Sequence, residues 1–242
     1  FWGVGNHGGG PSDNDLAYLK TAAESSKDVK ILHSTPESFF EKINPTLIVD
    51  RSLYISMPGC YTSMSTVKHR HREVENLLYS TEKMASICAL NGLAEYPSEG
   101  FKTACEDLMT AQFHDTLPGT VIEKGEQNAL MLLEHAKEEL VKIRTQSFFA
   151  LTVNQKRAND GEYPIFVYNF SPYKRFTAIE VEFSLADQNW SDKFGVVRVY
   201  RGNEEIVCQQ IKEDSNLTGL DWRKKIVFDA YLKPLSINRF NI

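Results

Sequence analysis

Near Tyr163 the spacing of apolar residues in this chain changes from a helical repeat to an alternating one. One type of element cannot bury both patterns, so the 242 residues must carry at least one helical region and one sheet region. Upstream of the change, three apolar stripes lie within residues 62–148. The first places Val67, Val74 and Cys88 at multiples of seven, with Leu77, Leu78, Met84 and Ala85 between them, and stops at Asn91-Gly92. Thr62 or Ser63 is its expected N-cap. The second begins near Ser98 and continues through Phe101, Ala104, Leu108 and Ala111. The third is expected to start at Thr120, with Glu123 completing a capping box, and carries Ala129, Leu133, Ala136, Leu140 and Ile143 on one face. Three amphipathic helices joined by short loops bury their stripes as an antiparallel bundle.

Downstream, residues 165–170, 178–185, 196–200, 206–211 and 225–232 read as strands rich in β-branched and aromatic side chains. Gly202-Asn203 fits a hairpin turn, and an antiparallel sandwich or half of one is predicted, joined to the helices by a linker over residues 156–163. Residues 1–57 have a different, α/β character. Ser12 and Asp15 have capping-box spacing ahead of a helix through Leu16, Leu19 and Ala23. Residues 29–33 suggest a short strand. Thr35 then caps a helix through Phe39, Phe40 and Ile43, with Pro36 in its first position.

Charge and cysteine usage narrow the partners. A net charge of −5 offers no basic excess for neutralising phosphates, which argues against nucleic acid and anionic membranes. The basic run from Lys68 to Arg72 is followed by Glu73 and Glu75 and reads as a solvated helix face with local ion pairs. Four scattered cysteines form no C-x-x-C pair and are expected to be reduced and buried, which suits a cytoplasmic protein. No run of 18 apolar residues is present to span a bilayer. The chain opens at Phe1 on a glycine loop with no strand before it to present that loop, and so reads as a piece of a longer polypeptide.

Two segments carry candidate chemistry. In Gln112-Phe113-His114-Asp115-Thr116-Leu117-Pro118-Gly119-Thr120 the second apolar stripe runs into an imidazole beside a carboxylate, at the point where the helix must stop. Burying both without partners costs several kcal/mol, so the pair is either a satisfied helix-end contact or a site. The spacing of Gly3, Gly5 and Gly8 matches the G-x-G-x-x-G dinucleotide pattern. The context does not, because Pro11 and two further glycines intervene before the helix and Asp28 precedes the next strand. His33, His69, His71 and His135 read as strand-end or helix-surface residues.

The nonapeptide Gln112–Thr120 resembles the QFHD-x-LPG-[ST] segment of the glycoside hydrolase family 38 α-mannosidases. Residues 1–11 resemble that family's glycine-rich barrel loop, and residues 59–78 the segment opening its helical middle domain, in the same order. The resemblance implies a multidomain α+β chain: the C-terminal end of a β/α barrel over residues 1–57, a three-helix bundle over 58–155 and the start of a β-sandwich region over 156–242. It implies part of a zinc-dependent retaining enzyme that removes terminal α-linked mannose from oligosaccharides. His114 would ligate Zn2+, Asp115 would hold the sugar, and Tyr61 would contact substrate.

Family members commonly carry an Asp in the glycine loop, where this chain has Asn6 and His7. Asn6 cannot exchange a proton near neutrality and would only hydrogen-bond substrate, whereas His7 can and is the candidate acid/base. The remaining zinc ligands and the nucleophilic Asp would come from an N-terminal barrel segment outside this chain, so the chain alone is expected to be inactive. The other reading is a non-catalytic carbohydrate-binding or scaffold fragment. The sequence leaves self-association as a homo-oligomer open.

Overall fold

A computed structural model describes residues 10–52, 58–213 and 221–242. The chain divides into two compact units, Phe1–Ile55 and Ser56–Ile242.

In the first unit, α1 (Asp13–Ser25) begins with the expected capping box. Ser12 Oγ accepts from the Asp15 amide at 3.2 Å, and Asp15 Oδ2 accepts from the Ser12 amide at 2.8 Å. These bonds hold the Asp15 carboxyl below its ordinary range. Helix α2 (Pro36–Phe40) is capped by Thr35, with Pro36 at its start. Residues 29–33 depart from expectation, since they form no strand. Their β-branched side chains suit one, but a strand is held by a paired neighbour, and no described strand pairs here. Val29 and Leu32 are accordingly 64% and 62% exposed.

The second unit opens with the short helix α3 (Pro58–Thr62), followed by α4 (Ser65–Leu90), α5 (Ser98–Ala111) and α6 (Glu123–Thr152). All three expected stripes are buried. Val67, Val74, Leu77, Phe101, Leu108, Leu133, Leu140 and Ile143 form one core, each large aliphatic contributing about 1.5–3 kcal/mol on burial. Helix α6 packs against both α4 and α5. The long helices α4 and α6 are also joined by Arg70–Glu134 at 2.6 Å and Lys137–Glu73 at 2.7 Å.

Two helix starts differ from the reading of the sequence. Neither Thr62 nor Ser63 caps α4; the cap position is Met64, in the left-handed region at φ 47° with no side-chain cap. That residue turns the chain between α3 and α4, and the two hydroxyls bond backward onto α3 carbonyls instead. Helix α6 starts at Glu123 with Ile122 in the cap position, so the Thr120–Glu123 capping box does not form. The Thr120 hydroxyl is bonded to Asp115.

Among the described residues seven strands follow: β1 (Pro164–Asn169), β2 (Arg175–Asn189), β3 (Val199–Arg201), β4 (Glu204–Ile206), β5 (Cys208–Ile211), β6 (Asp221–Leu232) and β7 (Ser236–Asn241). They make two antiparallel sheets, in the orders β1-β7-β3-β4 and β2-β6-β5. Ile179, Ile226 and Phe228 from one sheet pack with Val199 and Phe240 from the other, and the rings of Phe228 and Phe240 lie 5.0 Å apart. Gly202, at φ 61°, supplies the positive φ required in the two-residue turn joining β3 to β4. The expected strand over 206–211 is split at Val207, with β4 pairing in one sheet and β5 in the other.

A buried ion pair closes one end of β6. Lys224 is 1% exposed and donates to the Gly195 carbonyl at 2.9 Å and to Asp221. Asp221 also accepts from Asn189 Nδ2 and the Gly195 amide, each at 2.6 Å. Burial pushes the Asp221 carboxyl up, but the bonds from Gly195, Lys224 and Asn189 outweigh it and hold the group low. All four cysteines are free thiols; Cys88 is buried, whereas Cys60, Cys105 and Cys208 are only partly so. Among the described residues no helix is long and apolar enough to cross a membrane.

Candidate functional site at the end of helix α5

Helix α5 stops where its stripe stops. The Gln112 amide still reaches back to Leu108 and Met109, each at 3.1 Å, and the chain then folds into a compact turn over residues 113–120. The Thr116 and Leu117 amides donate to the Phe113 carbonyl at 2.9 and 3.1 Å, and the Gly119 and Thr120 amides to the Asp115 carbonyl at 3.3 and 2.9 Å. Thr120 Oγ1 adds a bond to Asp115 Oδ1 at 3.0 Å. The carboxylate is therefore fixed by its own turn.

His114 and Asp115 remain accessible, at 49% and 47% side-chain exposure. Their closest approach, Nε2 to Oδ2, is 3.6 Å, an electrostatic contact too long for a hydrogen bond. The Phe113 ring lies 4.2 Å from the imidazole, centroid to centroid. The pair is thus neither a buried structural bond nor a loose surface feature. It is a held, half-open pair of one imidazole and one carboxylate.

Two neighbours from α4 fix this turn. His71, expected on the helix surface, is buried, and its Nε2 accepts from Gln112 Nε2 at 2.8 Å, just ahead of the turn. Burial pushes the His71 pKa down. Lys68 donates to the carbonyls of Cys60, Ser63 and Pro118, the first and last at 3.2 Å. Gly119 sits at φ 102°, where a Cβ would overlap Ser63 Oγ and come within 3.1 Å of the Cys60 carbonyl oxygen. The turn and the α3 segment carrying Tyr61 are therefore fastened to each other. Tyr61 itself is 55% exposed.

Asn6 and His7 lie outside the described residues. His135 is no idle surface residue; its Nδ1 lies 2.6 Å from Asp107 Oδ2, and that partner raises its pKa. Among the described residues no three His, Cys, Asp or Glu side chains gather as a metal site. His114 alone is one ligand of roughly four that zinc requires, so these residues do not by themselves fit the metal.

The geometry is that of a helical domain presenting a rigid polar turn, and comparison gives it a class. Residues 57–151 match the family described as the alpha mannosidase middle domain. Alpha-mannosidase G of Dictyostelium discoideum is 31% identical over 161 residues, covering 63% of this chain and 14% of that protein. Human alpha-mannosidase 2C1 is 24% identical over 182 residues, covering 72% of this chain and 17% of the relative. A crystal structure of an alpha-mannosidase from Enterococcus faecalis superposes over 96% of this chain and 31% of that one, with a TM-score of 0.63 and 16% identity. Residues 57–151 are thus similar to the middle domain of α-mannosidases, and the chain spans less than a fifth of the curated relatives it matches.

Proposed function

We propose that this chain is part of a zinc-dependent retaining α-mannosidase acting on terminal α-linked mannose of glycans or oligosaccharides. The observation that carries the reading is the half-open His114–Asp115 pair, held on a turn that α4 braces from two sides. Residues 58–155 are the middle domain, residues 1–57 the end of a catalytic barrel, and residues 156–242 the start of a β-sandwich region. His114 would supply one imidazole to a zinc whose other ligands would come from the remaining barrel, and a metal held there would orient sugar hydroxyls. Asp115 accepts hydrogen bonds from mannose hydroxyls, with Tyr61 and Asn6 as further contacts and His7 as the proton donor to the leaving oxygen. In retaining chemistry that acid works with a carboxylate nucleophile about 5–5.5 Å away, here an Asp outside this chain. Four free thiols support a reducing, cytoplasmic setting.

The test uses the full-length protein. His114→Ala is expected to lose zinc, measured by native mass spectrometry, together with activity on an aryl α-mannoside. Asp115→Asn should keep its metal while kcat/KM falls about tenfold or more, since a neutral amide replaces a charged acceptor. Full zinc occupancy in the alanine variant overturns the ligand role of His114. Turnover by the 242-residue chain alone, absent from a His7 variant prepared in parallel, overturns the need for outside catalytic groups.

A further inference from the structure

Lys68 stands in a basic run, yet among the described residues no acidic partner explains its placement. Its side chain, half-buried on the first turn of α4, lies along backbone alone. An ammonium has three N–H donors and no acceptor. Here they point to three carbonyls: Cys60 within α3, Ser63 in the α3–α4 elbow, and Pro118 in the His-Asp turn. The first two are close in sequence, and the third is 50 residues away. The cation thus joins the turn bearing His114 and Asp115 to the helix bearing Tyr61. The close approach of Gly119 to Ser63 Oγ keeps the two backbones near enough for one ammonium to reach both.

We propose that Lys68 is a positioning residue: its tripod of bonds sets the distance between the Tyr61 segment and the His114–Asp115 turn, and so the register in which they meet one sugar. The catalytic part of this inference rests on the mannosidase reading above; the fastening does not. A tripod needs a point charge with three diverging donors. The planar guanidinium of arginine keeps the charge but cannot direct its donors to the same three oxygens.

The experiment compares the full-length wild-type protein with Lys68→Met and Lys68→Arg. Hydrogen exchange is followed in the peptide spanning residues 113–120 and, as a control for global opening, in one spanning residues 130–143 within α6. Exchange in the turn is expected to rise roughly tenfold or more in both variants, with the α6 peptide unchanged, because a charged hydrogen bond to a fixed carbonyl is lost. In parallel, kcat/KM for an aryl α-mannoside should fall by a similar factor in both. Unchanged exchange in Lys68→Met, or wild-type exchange and kinetics in Lys68→Arg, overturns the tripod. Should Lys68→Met fail to fold, Lys68→Gln keeps only two N–H donors on a shorter, uncharged arm, and its ratio of turn to α6 exchange should rise above wild type; an unshifted ratio refutes the proposal. A wild-type protein without turnover whose turn still loosens in the variants overturns the mannosidase reading and leaves the fastening standing.

Discussion

Replacing Gly119 with alanine perturbs the contact between the His-Asp turn and the α3–α4 elbow without removing any charged group, the new methyl meeting Lys68 Nζ only at van der Waals distance, 3.5 Å. Two costs follow from its geometry. At φ 102° an L side chain is strained, by about 1–3 kcal/mol. The new methyl also overlaps Ser63 Oγ, which must rotate away and give up its 2.9 Å bond to the Cys60 carbonyl, about 1 kcal/mol more. Gly119→Ala should therefore destabilise by about 2–4 kcal/mol. Ser63→Ala alone loses only the hydroxyl bond, about 1 kcal/mol. In the double variant the overlap is gone and the bond is lost only once, so its cost should fall short of the sum by about 1 kcal/mol. Urea unfolding of the four proteins, followed by circular dichroism at 222 nm (the helical band), gives the cycle. Additivity within about 0.3–0.5 kcal/mol would mean that the elbow and the turn do not meet through Ser63, and the packing described above would be wrong.

Two further outcomes are expected. Because burial lowers the His71 pKa, the unfolded chain binds the proton more tightly; stability from this group is complete above its ordinary value of 6.5 and is lost as pH falls below it. The urea midpoint should drop between pH 7.5 and 5.5, and drop less in His71→Gln; equal slopes refute the assignment. Asp221→Ala strands a buried ammonium and should cost about 3–5 kcal/mol. Lys224→Met leaves the carboxylate its Asn189 and Gly195 donors and should cost at least about 1 kcal/mol less, with the reverse order in chemical denaturation counting against the network.

What could be read from the sequence was whatever a local pattern determines. Ser12 and Asp15 form their box because both partners lie within one turn of a helix that exists. The stripes through Val74, Leu108 and Leu140 meet in one core because amphipathic faces have few ways to be buried. Thr120 and Glu123 had the same local spacing but failed, because the Thr120 hydroxyl is taken by Asp115 on the opposite side. His71 was misplaced through being read with the charges around it; counted from Val67 and Val74 it lies on the buried stripe. Strand β7 was missed because its inward positions include Asn238, a polar residue 5% exposed whose amide is satisfied by the Lys233 amide and the Ser236 carbonyl. The His-Asp turn was legible as chemistry, while its bracing was not. Lys68 reaches Pro118 across 50 residues, and no periodicity encodes such a contact.

The bond between Thr120 and Asp115 has an entropic consequence. A carboxylate on a half-open turn would ordinarily sample several rotamers, and a ligand would have to freeze one of them, at about 0.5–1.5 kcal/mol. Here the Thr120 hydroxyl holds Oδ1 before any ligand arrives, while the Asp115 carbonyl, bonded to the Gly119 and Thr120 amides, anchors the backbone beneath it. Oδ2, the oxygen nearer the imidazole, is thereby carried on a carboxylate already locked in one orientation. A hydroxyl-bearing ligand would meet an acceptor whose freedom was surrendered when the chain folded, so the ordering belongs to the stability of the protein and is absent from the association constant.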